Sequence, residues 1–120
     1  IHVSSYFADV VWDGLSTEHV RTSLESAITL GDLRRLWAPI SPHPFIPRLR
    51  DSGQKLLVLS GKYDLSFPHD LSRKSFEEFS RHGLDYDLAV LPCGHYTMGM
   101  LPFYPIVGFR VVQFLRRFRD

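Results

Sequence analysis

Two short apolar runs, Leu56-Leu57-Val58-Leu59 and Leu88-Ala89-Val90-Leu91, constrain this chain more than any other feature. Each is too short for a helix, and neither alternates as a strand with one wet face does. Aliphatic runs of this length, closed by turns, read as strands buried on both faces, the habit of parallel sheets. The stretch between them has helix length and helix spacing. Pro68 suits a first helical turn and Asp70 the positive end of the dipole, while Leu71, Phe76 and Phe79 mark an inward stripe. Arg73, Lys74, Glu77, Glu78 and Arg81 are expected in solvent. Gly83 followed by Leu84 reads as a helix C-cap with its hydrophobic contact. A last helix begins near residues 102–105, with Val107, Val111, Phe114, Leu115 and Phe118 as its stripe and Arg116, Arg117 and Arg119 at its negative end. Strand, helix, strand, helix over residues 55–118, with strands at 55–60 and 87–91, is a βαβα pattern. It predicts an α/β fold with parallel strands and right-handed crossovers.

The first half is less regular. Residues 1–5 read as the tail of a strand with no turn before it, so the chain is expected to be the C-terminal part of a longer protein; a processed chain is the plainer alternative. Tyr6 to Asp13 is aromatic and apolar without clean period, either a buried loop or the opening of a helix. Ser16 or Thr17 is placed to cap a helix carrying Val20, Leu24, Ala27 and Ile28, stopped by Gly31. Thr29 and Asp32 have capping-box spacing, and Leu33, Leu36 and Trp37 form the stripe of the helix they would start. Pro39, Pro42, Pro44 and Pro47 then deny a regular element its donors, leaving a rigid connection with a turn of helix near residues 46–50. Three regions result: 1–13, the end of a sheet strand and an aromatic connection; 14–54, a helical, proline-rich insertion; and 55–120, the βαβα part.

Charge narrows the function classes. Fourteen Lys and Arg against thirteen Asp and Glu give a net charge of +1, which offers nucleic acid no attraction. Apolar residues at 44% support a packed core, yet no run approaches the roughly 18 residues of a membrane span. The single cysteine, Cys93, excludes an internal disulfide and fits a reducing, cytoplasmic setting.

Each strand ends in a small-residue turn that delivers one ionisable side chain: Asp64 after Gly61-Lys62-Tyr63, and His95 after Cys93-Gly94. Open α/β sheets keep their chemistry at such C-terminal strand ends. A carboxylate there can orient an imidazole and stabilise its cation, and the imidazole can act as general base toward a nucleophile. Taken singly, Asp64 would be a turn aspartate bonding nearby amides, and His95 a partly buried histidine with a backbone partner. Together they make two members of a triad whose third member is not visible. Cys93 lies two residues from His95 on one loop, awkward for attack, and reads as a buried structural residue. His2, His19, His43, His69 and His82 have no metal-ligand spacing, Ser60-Gly61-Lys62 lacks the spaced glycine of a phosphate loop, and neither a metal nor a cofactor is expected.

LLVLSGKYD ending in Asp64, the helix after it, DLAVLPCGHYT carrying His95 and the closing amphipathic helix resemble the C-terminal part of an α/β-hydrolase fold enzyme. The resemblance implies that Asp64 is the triad acid, His95 the base, and residues 14–50 the insertion or cap between the sixth and seventh strands. It implies a serine-type hydrolase acting on a small ester or related acyl substrate. That family's G-x-S-x-G nucleophile elbow precedes both residues, and no such pentapeptide exists here. The nucleophile would then belong to the N-terminal part of the same protein, and this fragment alone would be inactive. An Asp or Cys nucleophile would make the chemistry dehalogenase, epoxide-hydrolase or thiol-hydrolase type. Cap aromatics Tyr6, Phe7, Trp12, Trp37 and Phe45 hint at an apolar acyl or alcohol portion. The alternative is a non-catalytic α/β module, or hydrolase-like remnant, that binds a partner through an exposed sheet edge.

Overall fold

The two apolar runs pair as parallel strands. In the computed structural model, which describes residues 6–118, β1 (Leu56–Gly61) and β2 (Tyr86–Leu91) run in register from Leu56 against Tyr86 to Gly61 against Leu91. The described residues hold this two-stranded sheet and six α-helices, so the architecture is mixed α/β. Five of the helices are α1 (Phe7–Asp13), α2 (Glu18–Leu24), α3 (Leu30–Trp37), α4 (Ile46–Asp51) and α5 (His69–Arg81). The sixth, α6, spans Phe103–Arg116. The strand expected in residues 1–5 lies outside the described residues.

The core forms where α4 and α5 cover one face of the sheet. Ile46, Val58, Phe79 and Leu84 are buried together, with Leu49, Leu56, Phe76 and Tyr86 packed around them. Leu84 is there because Gly83 turns the chain through a left-handed conformation (φ 66°), which costs glycine no Cβ clash. The Leu84 amide then donates to the Phe79 carbonyl at 3.0 Å, closing α5 with a Schellman-type cap and burying Leu84 beside Phe79. The opposite face meets α6, whose Arg117, just past its end, pairs with Asp87 on β2. At the same, N-terminal end of the strands Lys55 pairs with Asp85.

The insertion holds to this frame by its own local signals. Thr29 and Asp32 make the reciprocal capping box that starts α3, and the Thr29 bonds hold the Asp32 carboxyl below the usual range. Asp9 on α1 is buried and takes a forked pair from Arg34 on α3, whose guanidinium is held above its ordinary value by that bond.

Of the two readings of the aromatic segment the helix holds: it is α1, carrying buried Ala8, Asp9 and Val10. Several other local expectations are corrected. The next helix ends at Leu24, not at Gly31, which instead sits in the first turn of α3. Thr17 precedes α2 without capping it, because its hydroxyl donates back to the Val10 and Gly14 carbonyls. Of the α3 stripe, Leu33 is buried but Leu36 is exposed. Glu78, expected in solvent, is buried on α5 and paired with Arg81 and His82. On α6 the inward stripe is Phe103, Val107, Val111 and Phe114, all half-buried, while Leu115 and, past the helix end, Phe118 are exposed. Two apolar stripes on one helix cannot be separated by periodicity alone.

Candidate functional site

Residues beyond the C-terminal ends of β1 and β2 stay bonded after the strands stop. The Lys62 amide donates to the Leu91 carbonyl at 2.8 Å, and the Tyr63 amide to the Cys93 carbonyl at 3.0 Å. This approach requires glycine at position 61, where an added Cβ would stand 2.7 Å from the Cys93 oxygen. The ladder therefore carries the two turns side by side and delivers Asp64 and His95 to the same spot.

There the Asp64 Oδ2 and His95 Nδ1 lie 3.1 Å apart. An ionised carboxylate only accepts, so Nδ1 carries the proton of this bond and Nε2 is left as the free acceptor. The other carboxylate oxygen, Oδ1, accepts from the Ser66 and Phe67 amides, both at 2.9 Å. Asp64 is thus the turn aspartate and the imidazole partner at once, one oxygen for each role. Its side chain is nearly buried, 9% exposed, whereas that of His95 is 41% exposed. A fixed acid behind an accessible imidazole is the arrangement a general base needs.

Neighbours fix the ring. Phe67 lies against it with centroids 4.9 Å apart, and Tyr96 meets it edge-on at 5.2 Å. The Thr97 hydroxyl accepts from the Gly94 amide at 2.9 Å and donates to the Gly94 carbonyl at 3.1 Å, closing a tight turn around His95. Among the described residues no group bonds His95 Nε2, and no serine or threonine hydroxyl stands in the nucleophile's place. Cys93 does not fill that role either: it is buried at 4% exposure, and burial pushes its thiol up, with a Thr97 hydroxyl bond only opposing this. Among the described residues no group of three or more histidine, cysteine, aspartate or glutamate side chains is placed to hold a metal ion.

Beside Asp64 opens a cleft of about 700 Å³ between the insertion and the turn after β1. Leu15, Tyr63 and Leu65, all strongly exposed, give it apolar lining, and Arg21, Lys62, Asp13 and Glu18 line it too. None of the five cap aromatics singled out in the sequence lines it. Tyr6 instead borders a second cavity, of about 410 Å³, toward α5.

Asp64 and His95 were both readable from strand-end position. Phe67, Thr97 and Gly61 were not singled out. The Asp-x-Ser order at residues 64–66 is the signal of an Asx-turn that could have found the Ser66 and Phe67 amides. Nothing in the sequence marks Phe67 as the residue against the imidazole.

No known protein family, curated protein or solved structure matches the chain.

Proposed function

We propose that this chain supplies the acid and the base of a serine-type hydrolase of α/β-hydrolase type, acting on an ester or related acyl substrate. Asp64 orients His95 and stabilises its cation; His95 Nε2 takes the nucleophile's proton and returns it to the leaving group. The observation that carries this reading is the 3.1 Å Asp64–His95 bond at the ends of adjacent parallel strands, with Nε2 open. The apolar part of the neighbouring cleft's lining, Leu15, Tyr63 and Leu65, supports an apolar acyl or alcohol portion in the substrate.

The nucleophile, on this reading, comes from the N-terminal part of the same protein. The outward face of α6 supports that completion. Ile106, Phe109, Val112 and Leu115 are exposed there while the opposite stripe packs on the sheet, and a helix apolar on both sides belongs inside a larger body. The same surface favours the second reading, a non-catalytic module that docks a partner along its bare sheet edge and α6.

An electrophilic alkyl fluorophosphonate separates the two. In the complete protein it should label one hydroxyl covalently, and His95→Ala should abolish the labelling while the circular dichroism spectrum stays unchanged. Labelling that persists undiminished in His95→Ala, or no labelling of the native protein, contradicts the hydrolase reading and leaves the module.

A further inference from the structure

The turn that enters the insertion touches the acid's loop at three places. The Leu15 amide donates to the Leu65 carbonyl at 3.2 Å, and the Ser16 and Ser66 hydroxyls bond at 2.6 Å. Gly14 is buried between α1 and the acid's loop, so that an added Cβ would stand 2.5 Å from the Val10 carbonyl oxygen and 2.8 Å from the Ser66 carbonyl oxygen. Leu65 and Ser66 directly follow Asp64, and the Ser66 amide is one of the two backbone donors that hold its Oδ1. The acid's loop is therefore held from two sides: from β2 through Tyr63 and Cys93, and from the insertion through residues 14–16.

We infer that residues 14–16 are a positioning element for Asp64, so that the insertion sets the orientation of the carboxylate that His95 reads. The inference rests on the Asp64–His95 pair of the proposed function but goes beyond it, because it assigns a role to backbone and side chains outside the βαβα part. The chain of contacts is short. Residues 14–16 fix the Leu65 and Ser66 peptides, the Ser66 and Phe67 amides fix Oδ1, and with Oδ1 fixed the second oxygen can point only at Nδ1. The same residues border the 700 Å³ cleft, where Gly14 and Leu15 face Asp64 and Leu65. A ligand that wedged this wall open would pull on the acid directly.

Leu15→Pro removes one donor with little other change. Leu15 opens a 3₁₀ turn, where proline's fixed φ is tolerated, and the extended backbone of Gly14 (φ −73°, ψ 132°) suits a residue before proline. Leu15→Ala keeps the donor and removes only the side chain. Gly14→Ala attacks the close approach to Ser66 while also crowding the Val10 carbonyl of α1, and Ser16→Ala removes the exposed hydroxyl pair, so the idea does not depend on one variant folding. The readout is the tautomer of His95 in the full chain, read from the nitrogen shifts of labelled imidazole, which a merely structural role would not move.

Native protein should show the Nδ1-protonated tautomer, and Asp64→Ala should lose it. Leu15→Pro and Gly14→Ala should shift His95 toward the Nε2-protonated form, Ser16→Ala by less, and Leu15→Ala not at all. If Asp64→Ala leaves the tautomer unchanged, the Asp64–His95 pairing itself fails, and the inference with it. If Asp64→Ala changes it while Leu15→Pro and Gly14→Ala, folded by circular dichroism, do not, the pairing stands and the positioning role is overturned.

Discussion

Three single residues, Gly61 and Cys93 beside the site and Tyr6 away from it, matter for different physical reasons, and each can be tested separately. Gly61 is a matter of space. Gly61→Ala places a methyl 2.7 Å from the Cys93 carbonyl oxygen, so the turns bearing Asp64 and His95 must part. We expect a stability loss of about 1–3 kcal/mol in urea unfolding, the usual cost of overpacking. An unchanged midpoint would mean that the turns are not held at that distance. Cys93 is a matter of burial: its raised thiol should resist a disulfide reagent in the native chain and react quickly once the chain is unfolded. Fast native modification would put it in solvent and reopen it as a nucleophile.

Tyr6 is a matter of charge. Burial, with help from the Glu78 carboxylate, pushes its phenol up from 10.0 to about 12. The unfolded chain gives up that proton first, so Tyr6's contribution is whole below pH 10 and is lost as pH rises toward 12. Stability measured across that window should therefore fall less steeply in Tyr6→Phe than in the native chain. Equal slopes would show that Tyr6 ionises as readily folded as unfolded.

Among elements, α4 shows how the insertion and the βαβα part share one core. Ile46, the first residue of α4, is fully buried against Val58, Phe79 and Leu84. Ile46→Ala should cost about 2–5 kcal/mol and lower a single unfolding transition, monitored at once by far-ultraviolet circular dichroism and tryptophan fluorescence. Two separated transitions would mean that the proline-rich segment folds apart from the sheet. The elements also show what was legible in the sequence. Continuous aliphatic runs marked both strands to within a residue, and Thr29–Asp32 and Gly83-Leu84 marked helix ends, because each signal acts through its own neighbours. Glu78 and Leu36 were misjudged because their burial depends on which distant element covers them. The site's two ionisable residues were legible because strand ends are local features. The contacts of residues 14–16 with Leu65 and Ser66 were not, since a hydrogen bond between two loops leaves no period behind.

As a whole the molecule is a slab, 52 × 37 × 19 Å, with a radius of gyration of 15.7 Å. A compact domain of this length would have about 13–14 Å. A two-stranded sheet under helices cannot bury every apolar face it carries, and the surplus appears on α6, where Phe109 is 64% and Leu115 is 59% exposed. Patches of this kind mark surfaces that another body covers. The isolated chain should therefore bind an anilinonaphthalene dye, and Phe109→Asp with Leu115→Asp should remove most of that fluorescence without changing the circular dichroism spectrum. Dye binding untouched by the pair would place the apolar surface elsewhere. Among the described residues no helix is long and apolar enough to cross a membrane.

The central claim is that Asp64 and His95 act as one unit, and a kinetic cycle in the complete protein tests it most directly. The measurement is kcat/KM for hydrolysis of an activated aryl ester by the native protein, Asp64→Asn, His95→Ala and the double variant. Groups that act as a unit lose their effect together. Each single change should cost about 10³-fold or more, and the double variant should be no worse than His95→Ala alone. Losses that multiply in the double variant, or single variants that keep the native rate, would contradict it.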